Sequence, residues 1–244
     1  MTSAGVAPDM LDNMPWHALT GRQADIAEGA GRVRRLPRAM GIFWGVDRLD
    51  AGGWDALVSA AAGRPFVLFQ CDVGAAPHGI DELVRTPCVQ MVADGTVTPS
   101  LDVDVGALDI ELLGDADAAE MVALTALTEP GPFFDETHRL GTYIGVRERG
   151  RLIAMAGERF RVDGAAEISG VCTHPDARRR GLAAALTVAL MNEQRARGDM
   201  PMLHAAQTNT AAISVYRQLG FRVRAEPDGV AFRVSADVDA EVAR

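Results

Sequence analysis

Hydrophobic and polar positions alternate along the first part of the chain in short segments of helical or strand periodicity. Residues 16–28 and 54–62 have helical spacing, and glycines follow both segments. Residues 65–71 and 89–93 are compact apolar runs typical of buried strands. These elements predict a small α/β unit, and no catalytic motif stands out within it.

The second part has a more regular pattern. It predicts three helices, at residues 115–128, 181–197 and 210–219, with Asp115 as a candidate N-cap of the first. It also predicts seven strands, at residues 108–113, 142–147, 152–162, 165–173, 202–207, 222–224 and 230–234. This alternation predicts an α/β fold with a mixed central sheet and helices on both faces.

The distribution of charge suggests where two domains would meet. No arginine lies between Arg85 and Arg139, and eleven acidic residues fall in that gap. The gap also contains a turn-rich segment at residues 94–100. We therefore predict an N-terminal α/β domain at residues 1–105, of unknown role, and a second domain at residues 106–244.

Composition excludes several classes of function. The net charge of −9 argues against a nucleic-acid partner. All 24 basic residues are arginines, which rules out a P-loop lysine or a pyridoxal Schiff base. The three cysteines form no CxxC pair and no histidine has metal-ligand spacing, so we expect no disulfide framework and no metal. Residues 1–14 do not resemble a signal peptide, and no apolar run could span a membrane. We expect a cytoplasmic protein.

Three arginines precede a predicted helix at an unusual place. Arg178, Arg179 and Arg180 stand directly before Gly181, where the helix begins. Cations at a helix N-terminus oppose the helix dipole, at a cost of about 0.3–1 kcal/mol each. A bound anion would remove that conflict, because the first N–H groups of the helix point at it. The segment is therefore a candidate pyrophosphate site, with a solvated basic turn as the alternative.

Two motifs in this region resemble the GNAT superfamily of N-acetyltransferases. Arg178-x-x-Gly181-x-Ala183 after a strand is similar to the acyl-CoA signature of that family. Downstream, Asn209, Tyr216 and the Gly-Phe pair at 220–221 match its second motif, N-x-x-A-x-x-x-Y-x-x-x-G-F. The resemblance covers the last 140 or so residues and implies a GNAT fold there. By analogy with two-part glycine N-acyltransferases, the first 105 residues would be a degenerate GNAT-like half.

The resemblance implies how acetyl-CoA, the acyl donor, would bind. The pyrophosphate would lie on backbone N–H groups of the signature loop, and the pantetheine arm would pair with backbone at Val171 and Thr173. A bulge at Gly170 would free N–H groups for the acyl carbonyl. The implied cofactor-binding residues are Val171, Cys172, Thr173, Arg178, Arg179, Arg180, Gly181, Leu182, Ala183, Asn209 and Tyr216.

The resemblance also implies catalytic roles. An alkyl ammonium has a pKa near ~10.4, so a base is expected, and Glu167 is the first candidate and Glu158 the second. Tyr216 would protonate the departing thiolate. Glu167 and Tyr216 have structural alternatives: a carboxylate on the solvent side of a strand or paired to an arginine for Glu167, and packing of the ring on the sheet for Tyr216. We interpret Cys172 as a buried structural thiol rather than a nucleophile.

The function that follows is transfer of an acetyl or other acyl group from acetyl-CoA to an amine, by direct attack in a ternary complex. The alternatives are a peptide or protein N-acetyltransferase, and an acyl-CoA-binding regulatory module without turnover. The acidic stretch predicts a cationic acceptor, with Glu129 and Glu136 as recruiting residues. His138 and His204 are candidates to line the acceptor pocket. The sequence leaves a homo-oligomer open.

Overall fold

The computed structural model of the protein describes residues 6–235. Residues 1–5, which belong to the segment that does not resemble a signal peptide, lie outside the described residues, as do residues 236–244. The helices are α1 Pro8–Asp12, α2 Met14–Thr20, α3 Ala51–Ala61, α4 Ala118–Thr128, α5 Leu182–Ala196 and α6 Thr210–Gln218. The strands are β1 Val33–Arg35, β2 Phe43–Val46, β3 Phe66–Gln70, β4 Ile80–Val92, β5 Ile110–Leu113, β6 Tyr143–Glu148, β7 Arg151–Val162, β8 Ala165–Thr173, β9 Met200–Ala206, β10 Arg222–Ala225 and β11 Asp228–Val234.

Two helices differ from the sequence prediction. The helix predicted at 16–28 ends at Thr20, because the chain turns so that buried Gln23 can donate hydrogen bonds to the carbonyl oxygens of Leu140 and Arg159, at 3.0 and 2.9 Å. The prediction of Asp115 as a helix N-cap is wrong. Its carboxylate instead accepts a hydrogen bond from Arg139 at 3.0 Å, and α4 begins three residues later.

One mixed sheet of eleven strands runs through the molecule. Its order is β1-β2-β3-β11-β4-β9-β8-β7-β6-β5, with β10 paired to β4 beside this path. Strand β4, from the first part of the chain, pairs with β9, β10 and β11, all from the second part. One sheet therefore combines strands from both sides of the predicted boundary near residue 105. The division into 1–105 and 106–244 stays a prediction.

Helices cover both faces of the sheet, as the sequence predicts. Helix α5 packs on β7, β8 and β9, where its Leu186 and Leu190 join Ala154 and Ala156 in one core cluster. Helix α4 packs on the opposite face of β7 and β8, where Met155 belongs to a separate cluster. Adjacent strand residues point to opposite faces, which is why residues 154 and 155 enter different cores. Within residues 6–235, no helix is both long and apolar enough to cross a membrane.

Candidate active site

Strands β8 and β9 run together for only part of their length. They pair in parallel from Ala165 to Ile168 of β8, and Ile168 is matched to Leu203. Beyond this pair, β9 continues beside β4, with His204 opposite Gln90. Strand β8 continues beside β7, with Thr173 opposite Ala154. The two strands therefore separate, and a cleft opens between them.

A bulge in β8 lies beside this cleft. Gly157 of β7 pairs with Ser169 and Met155 pairs with Cys172, so β8 has one residue more than β7 over this stretch. Gly170 has a φ of +63°, a left-handed conformation that glycine adopts without strain. The bulge predicted at Gly170 is thus confirmed, and neither Gly170 nor its neighbour Val171 has a registered partner in β7 or β9.

A cavity of about 820 Å³ fills the cleft and continues past it, which is within the usual range for a small-molecule site. One end is formed by the loop before α5, and the other by Arg159 and His204. Helix α6 contributes Tyr216 to one wall, and the segment after α4 contributes Phe133 to another.

The loop before α5 has the features of an anion site. Arg178, Arg179, Gly181 and Ala183 all line the cavity. Gly181 has a φ of +76° and no atom lies within 4 Å of a Cβ placed on it, so the backbone is open to a ligand there. Helix α5 has no side-chain N-cap, so its first N–H groups are available. Arg180 does not line the cavity and instead donates to Glu148 at 3.0 Å.

The last two side chains of β8 form the part of the cavity wall next to this loop. Thr173 lines the cavity, and its buried Oγ1 has no hydrogen-bond partner among the described residues. Such an atom is costly to leave unpaired, which favours a ligand contact. Burial raises the pKa of the Cys172 thiol to about 11, so Cys172 is a thiol and not a thiolate near neutral pH. The interpretation of Cys172 as a structural residue fits this environment.

Helix α6 brings the second motif to the same cavity. Asn209 is the N-cap of α6, where its side chain accepts a hydrogen bond from the N–H of Ala212 at 3.2 Å, and it also lines the cavity. Tyr216 lies two turns further along, with its ring 5.9 Å from that of Phe221. Burial raises the pKa of Tyr216 to about 12, so its hydroxyl keeps its proton and can donate it.

Glu167 lies behind the cavity wall, and both of its carboxylate oxygens accept hydrogen bonds. Arg159 donates to it from Nε at 3.0 Å and from Nη2 at 2.5 Å, and His204 Nδ1 lies 2.7 Å from its Oε1. Burial alone would raise the pKa of Glu167, but the charge of Arg159 and the contact with His204 lower it overall to about 2. Glu167 does not line the cavity, whereas both of its partners do.

Glu158 lies on the other face of the sheet. Its carboxylate accepts a hydrogen bond from Gln194 of α5 at 2.8 Å and is ion-paired with Arg197. It is buried and does not line the cavity. Arg159, the next residue of β7, points to the opposite face and donates to Glu167. Glu158 therefore ties the end of α5 to the sheet.

Arg159, Tyr143 and His204 also line the cavity. Arg159 lies between Glu158 and Arg161 in the second half of β7, where charged residues follow an apolar first half, and this change in pattern could have marked the segment as functional. Tyr143 is the first residue of β6, and its ring packs edge-to-face with that of Phe133, with the ring centroids 5.7 Å apart. Of the two histidines considered for the acceptor pocket, His204 lines the cavity and His138 does not.

The acidic stretch is divided between cavity and surface. Glu129 lies in the segment after α4 and is the one carboxylate among the described residues that line the cavity. Glu136 is outside it, paired with Arg139 at 3.3 Å. Across residues 6–235, no three histidine, cysteine or acidic side chains converge as metal ligands would.

Comparison with known proteins identifies the family of this site. The model of the FR47-like protein family matches residues 143–228, a range that contains both motifs. A GNAT-family protein of known structure from Novosphingobium aromaticivorans is 38% identical, with a TM-score of 0.82 over 93% of this chain and 99% of that one. The chain belongs to the GNAT family.

More distant GNAT structures share the fold. A GCN5-related N-acetyltransferase from Kribbella flavida is 17% identical, with a TM-score of 0.56 over 97% of this chain and 99% of that one. A GCN5-related N-acetyltransferase-like protein from Streptococcus suis is 15% identical, with a TM-score of 0.51 over 84% and 85% of the two chains. Comparison with curated proteins gives no match. The Novosphingobium GNAT structure extends over both predicted parts of the chain.

Proposed function

We propose that this GNAT protein transfers an acetyl group from acetyl-CoA to an amine by direct attack in a ternary complex. The observation that carries the proposal is the single cavity that joins the loop before α5, the Tyr216 side chain and the wall formed by Arg159 and His204. It offers space for donor and acceptor together. The attacking nitrogen forms a bond to the acetyl carbon, the carbon–sulfur bond breaks, and the sulfur gains the proton that the nitrogen loses overall.

The residues along β8 fit the donor. The pyrophosphate would bind backbone N–H groups from Arg179 to Ala183, where the helix terminus and the nearby arginines favour negative charge. The pantetheine arm would follow Val171 and Thr173 along the side of β8 that β9 leaves uncovered. The bulge at Gly170 would present N–H groups to the acetyl carbonyl.

Tyr216 is the proposed general acid. It holds its proton at neutral pH because burial raises its pKa to about 12. A thiol has an ordinary pKa near ~8.5, well below that of the buried phenol, so Tyr216 passes its proton to sulfur only in concert with cleavage of the carbon–sulfur bond, and the proton that the nitrogen loses replaces it on the phenol. Its place in the cavity wall, on the helix that starts at Asn209, supports this role.

The role of Glu167 as a base stays a prediction, and its surroundings favour a different contribution. A carboxylate with a pKa of about 2 that already accepts three hydrogen bonds takes a proton from an ammonium poorly. We propose that Glu167 is a positioning residue for Arg159 and His204. Glu129, which faces the cavity, is the proposed contact for the acceptor's ammonium group.

The experiment that tests the function is release of free thiol from acetyl-CoA by the purified protein with a panel of amines. The panel includes small amines and peptides with free α-amino groups, so that it separates a small-molecule enzyme from a peptide N-acetyltransferase. Thiol release that depends on the amine and falls in Tyr216→Phe supports catalysis. Binding of acetyl-CoA without thiol release under any amine would instead indicate a regulatory module.

A further inference from the structure

We infer that the acceptor carries a carboxylate as well as an amine, and that Arg159 binds that carboxylate. This inference rests on the proposed function and adds the chemical class of the acceptor. Arg159 lines the cavity with a side chain that is 12% exposed. A molecule bound at that end of the cavity can therefore contact the Arg159 guanidinium.

One edge of the Arg159 guanidinium donates hydrogen bonds to Glu167, and the other edge has no hydrogen-bond acceptor among the described residues. Nε and Nη2 donate to the two oxygens of Glu167, which occupies one edge of the planar group. Among the described residues, Nη1 has no hydrogen-bond acceptor. An arginine has five N–H donors in a fixed fork, so the N–H groups of Nη1 and the second N–H of Nη2 remain. These form a second fork of the geometry that receives a planar carboxylate.

Aromatic rings surround the rest of the guanidinium. Its central carbon lies 4.5 Å from the ring centroid of Phe43, 5.1 Å from that of Phe69 and 5.4 Å from that of Phe160. Ring faces hold the positive charge by cation–π attraction but accept no strong hydrogen bonds. The unused N–H groups therefore face the cavity. The atom that accepts their hydrogen bonds must come from solvent or a ligand.

The charge of this end suits a monoanion. Glu167 neutralises Arg159 in part, and burial lowers the pKa of His204 despite the opposing effect of Glu167, so His204 adds no charge near neutral pH. One partly neutralised guanidinium matches one carboxylate better than a phosphate dianion. Glu129 elsewhere in the wall provides the complementary contact for an ammonium group. The cavity thus has matching groups for an acceptor with both charges.

The position of Arg159 separates this contact from the donor's phosphates. Its neighbour Glu158 pairs with Ile168, which also pairs with Leu203 beside His204. Arg159 and His204 therefore lie at the level of Ile168, three strand residues or roughly 10 Å from Val171, in the direction away from the loop before α5. The pyrophosphate proposed at that loop and a carboxylate at Arg159 occupy opposite ends of the cavity.

The first test uses the unmodified protein and matched acceptors that differ only in the carboxylate. Thiol release is measured for leucine against leucinamide, 4-aminobutyrate against butylamine, and 6-aminohexanoate against hexylamine. We expect at least a tenfold higher kcat/KM for the carboxylate member of one or more pairs. Thiol release without such preference in any pair would overturn the inference and leave the proposed function intact. No thiol release with any amine would overturn both.

The second test assigns the preference to Arg159. Arg159→Lys keeps a positive charge for Glu167 but removes the fork, so we expect the preference for carboxylate acceptors to fall about tenfold, through KM. The readout is the ratio of kcat/KM for each carboxylate acceptor to kcat/KM for its neutral partner, which compares the two acceptors within the same variant. Arg161→Lys, on the same strand but outside the cavity, is the matched control and should keep the preference. A preference that survives in Arg159→Lys would overturn the assignment.

A third measurement applies if Arg159→Lys fails to fold. Hexanoate lacks the amine and cannot react, so it should inhibit the unmodified protein competitively with a carboxylate acceptor, whereas hexanol at the same concentration should not. Equal effects of hexanoate and hexanol would contradict binding of a carboxylate in this cavity. The acceptor pairs and the two inhibitors therefore decide the inference even without the variant.

Discussion

Ile168 and Leu203 form the last matched pair between β8 and β9. Toward the loop before α5 the strands separate, and β8 offers an uncovered side to the donor. At the level of the pair itself, Arg159 and His204 close the cavity on the side of the acceptor. One change of strand pairing thus makes room for two substrates.

Acetyl-CoA is expected to stabilise the protein against thermal unfolding. A ligand at 100-fold its dissociation constant adds about 2.7 kcal/mol by mass action, which is roughly 5–10 °C in Tm for a chain of this size. Gly181→Asp should abolish the shift, since it places a negative charge where the pyrophosphate would bind. The measurement is a thermal melt with and without millimolar acetyl-CoA.

Gly198→Asp is the matched control for that variant. Gly198 and Gly181 have φ values of +87° and +76°, and at neither position does any atom lie within 4 Å of where a Cβ would stand, so aspartate causes comparable strain at both. Gly198 does not line the cavity. Gly198→Asp should therefore keep the shift with acetyl-CoA. Equal shifts in the two variants would contradict the assignment of the pyrophosphate to Gly181.

Tyr216→Phe is expected to lower kcat and leave acetyl-CoA binding intact. The change removes only the phenolic O–H, and a well-placed general acid contributes about 10²- to 10⁴-fold to the rate. The measurement is kcat from thiol release together with the acetyl-CoA-induced shift in Tm. An unchanged kcat would leave Tyr216 with the alternative role of packing its ring on Phe221.

The segments with clear periodicity could be predicted from the sequence. Strand β8 has the bounds predicted for it, and α5 and α6 begin and end within a residue of theirs. The first half of β4 could not be predicted, because residues 81–84 are exposed and show no apolar alternation. That segment is a strand because β11, almost 150 residues later, pairs with it. Pairing of this kind is tertiary and leaves little local signal.

The donor side of the site could be predicted more fully than the acceptor side. The donor contacts are mostly backbone groups of one continuous segment around Gly181, which a motif describes well. The acceptor end combines side chains from separate strands, such as Arg159, His204 and their shared partner Glu167. The sequence indicated Glu167 but not Arg159, because the ion pair between them depends on the register of β7 with β8, which leaves no local signal.

Glu167→Gln tests whether Glu167 is a base or a positioning residue. We expect the KM for the acceptor to rise more than kcat falls, because the variant loosens Arg159 and His204, and we expect the ratio to the unmodified protein to stay constant from pH 7 to 9. The measurement is the pH profile of both constants. A loss confined to kcat that shrinks as pH rises would instead support Glu167 as the base, since the amine then deprotonates by itself.

Glu167 is also expected to make the free energy of unfolding depend on pH in the acid range. The pKa of Glu167 in the folded protein is about 2, below its ordinary value near 4.5, so the unfolded chain binds the proton more readily. Its contribution to the free energy of unfolding is therefore full above about pH 4.5 and is lost as pH falls toward 2. Urea unfolding between pH 6 and 3 should show a smaller loss of stability for Glu167→Gln than for the unmodified protein. Glu226→Gln, an exposed carboxylate, should follow the unmodified protein.

Glu129 is expected to attract the acceptor through its charge. It lines the cavity, whereas Glu136 belongs to the same acidic stretch but pairs with Arg139 outside it. Glu129→Gln should therefore raise the KM for a cationic acceptor by roughly 3- to 10-fold and leave the KM for acetyl-CoA unchanged, and Glu136→Gln should change neither. Because a Debye length is about 8–10 Å at physiological salt, the effect of Glu129→Gln should diminish at high ionic strength. Equal effects of the two variants would mean that the acidic stretch acts only as a diffuse surface charge. No effect of either variant at low salt would mean that the acidic stretch has no part in acceptor binding.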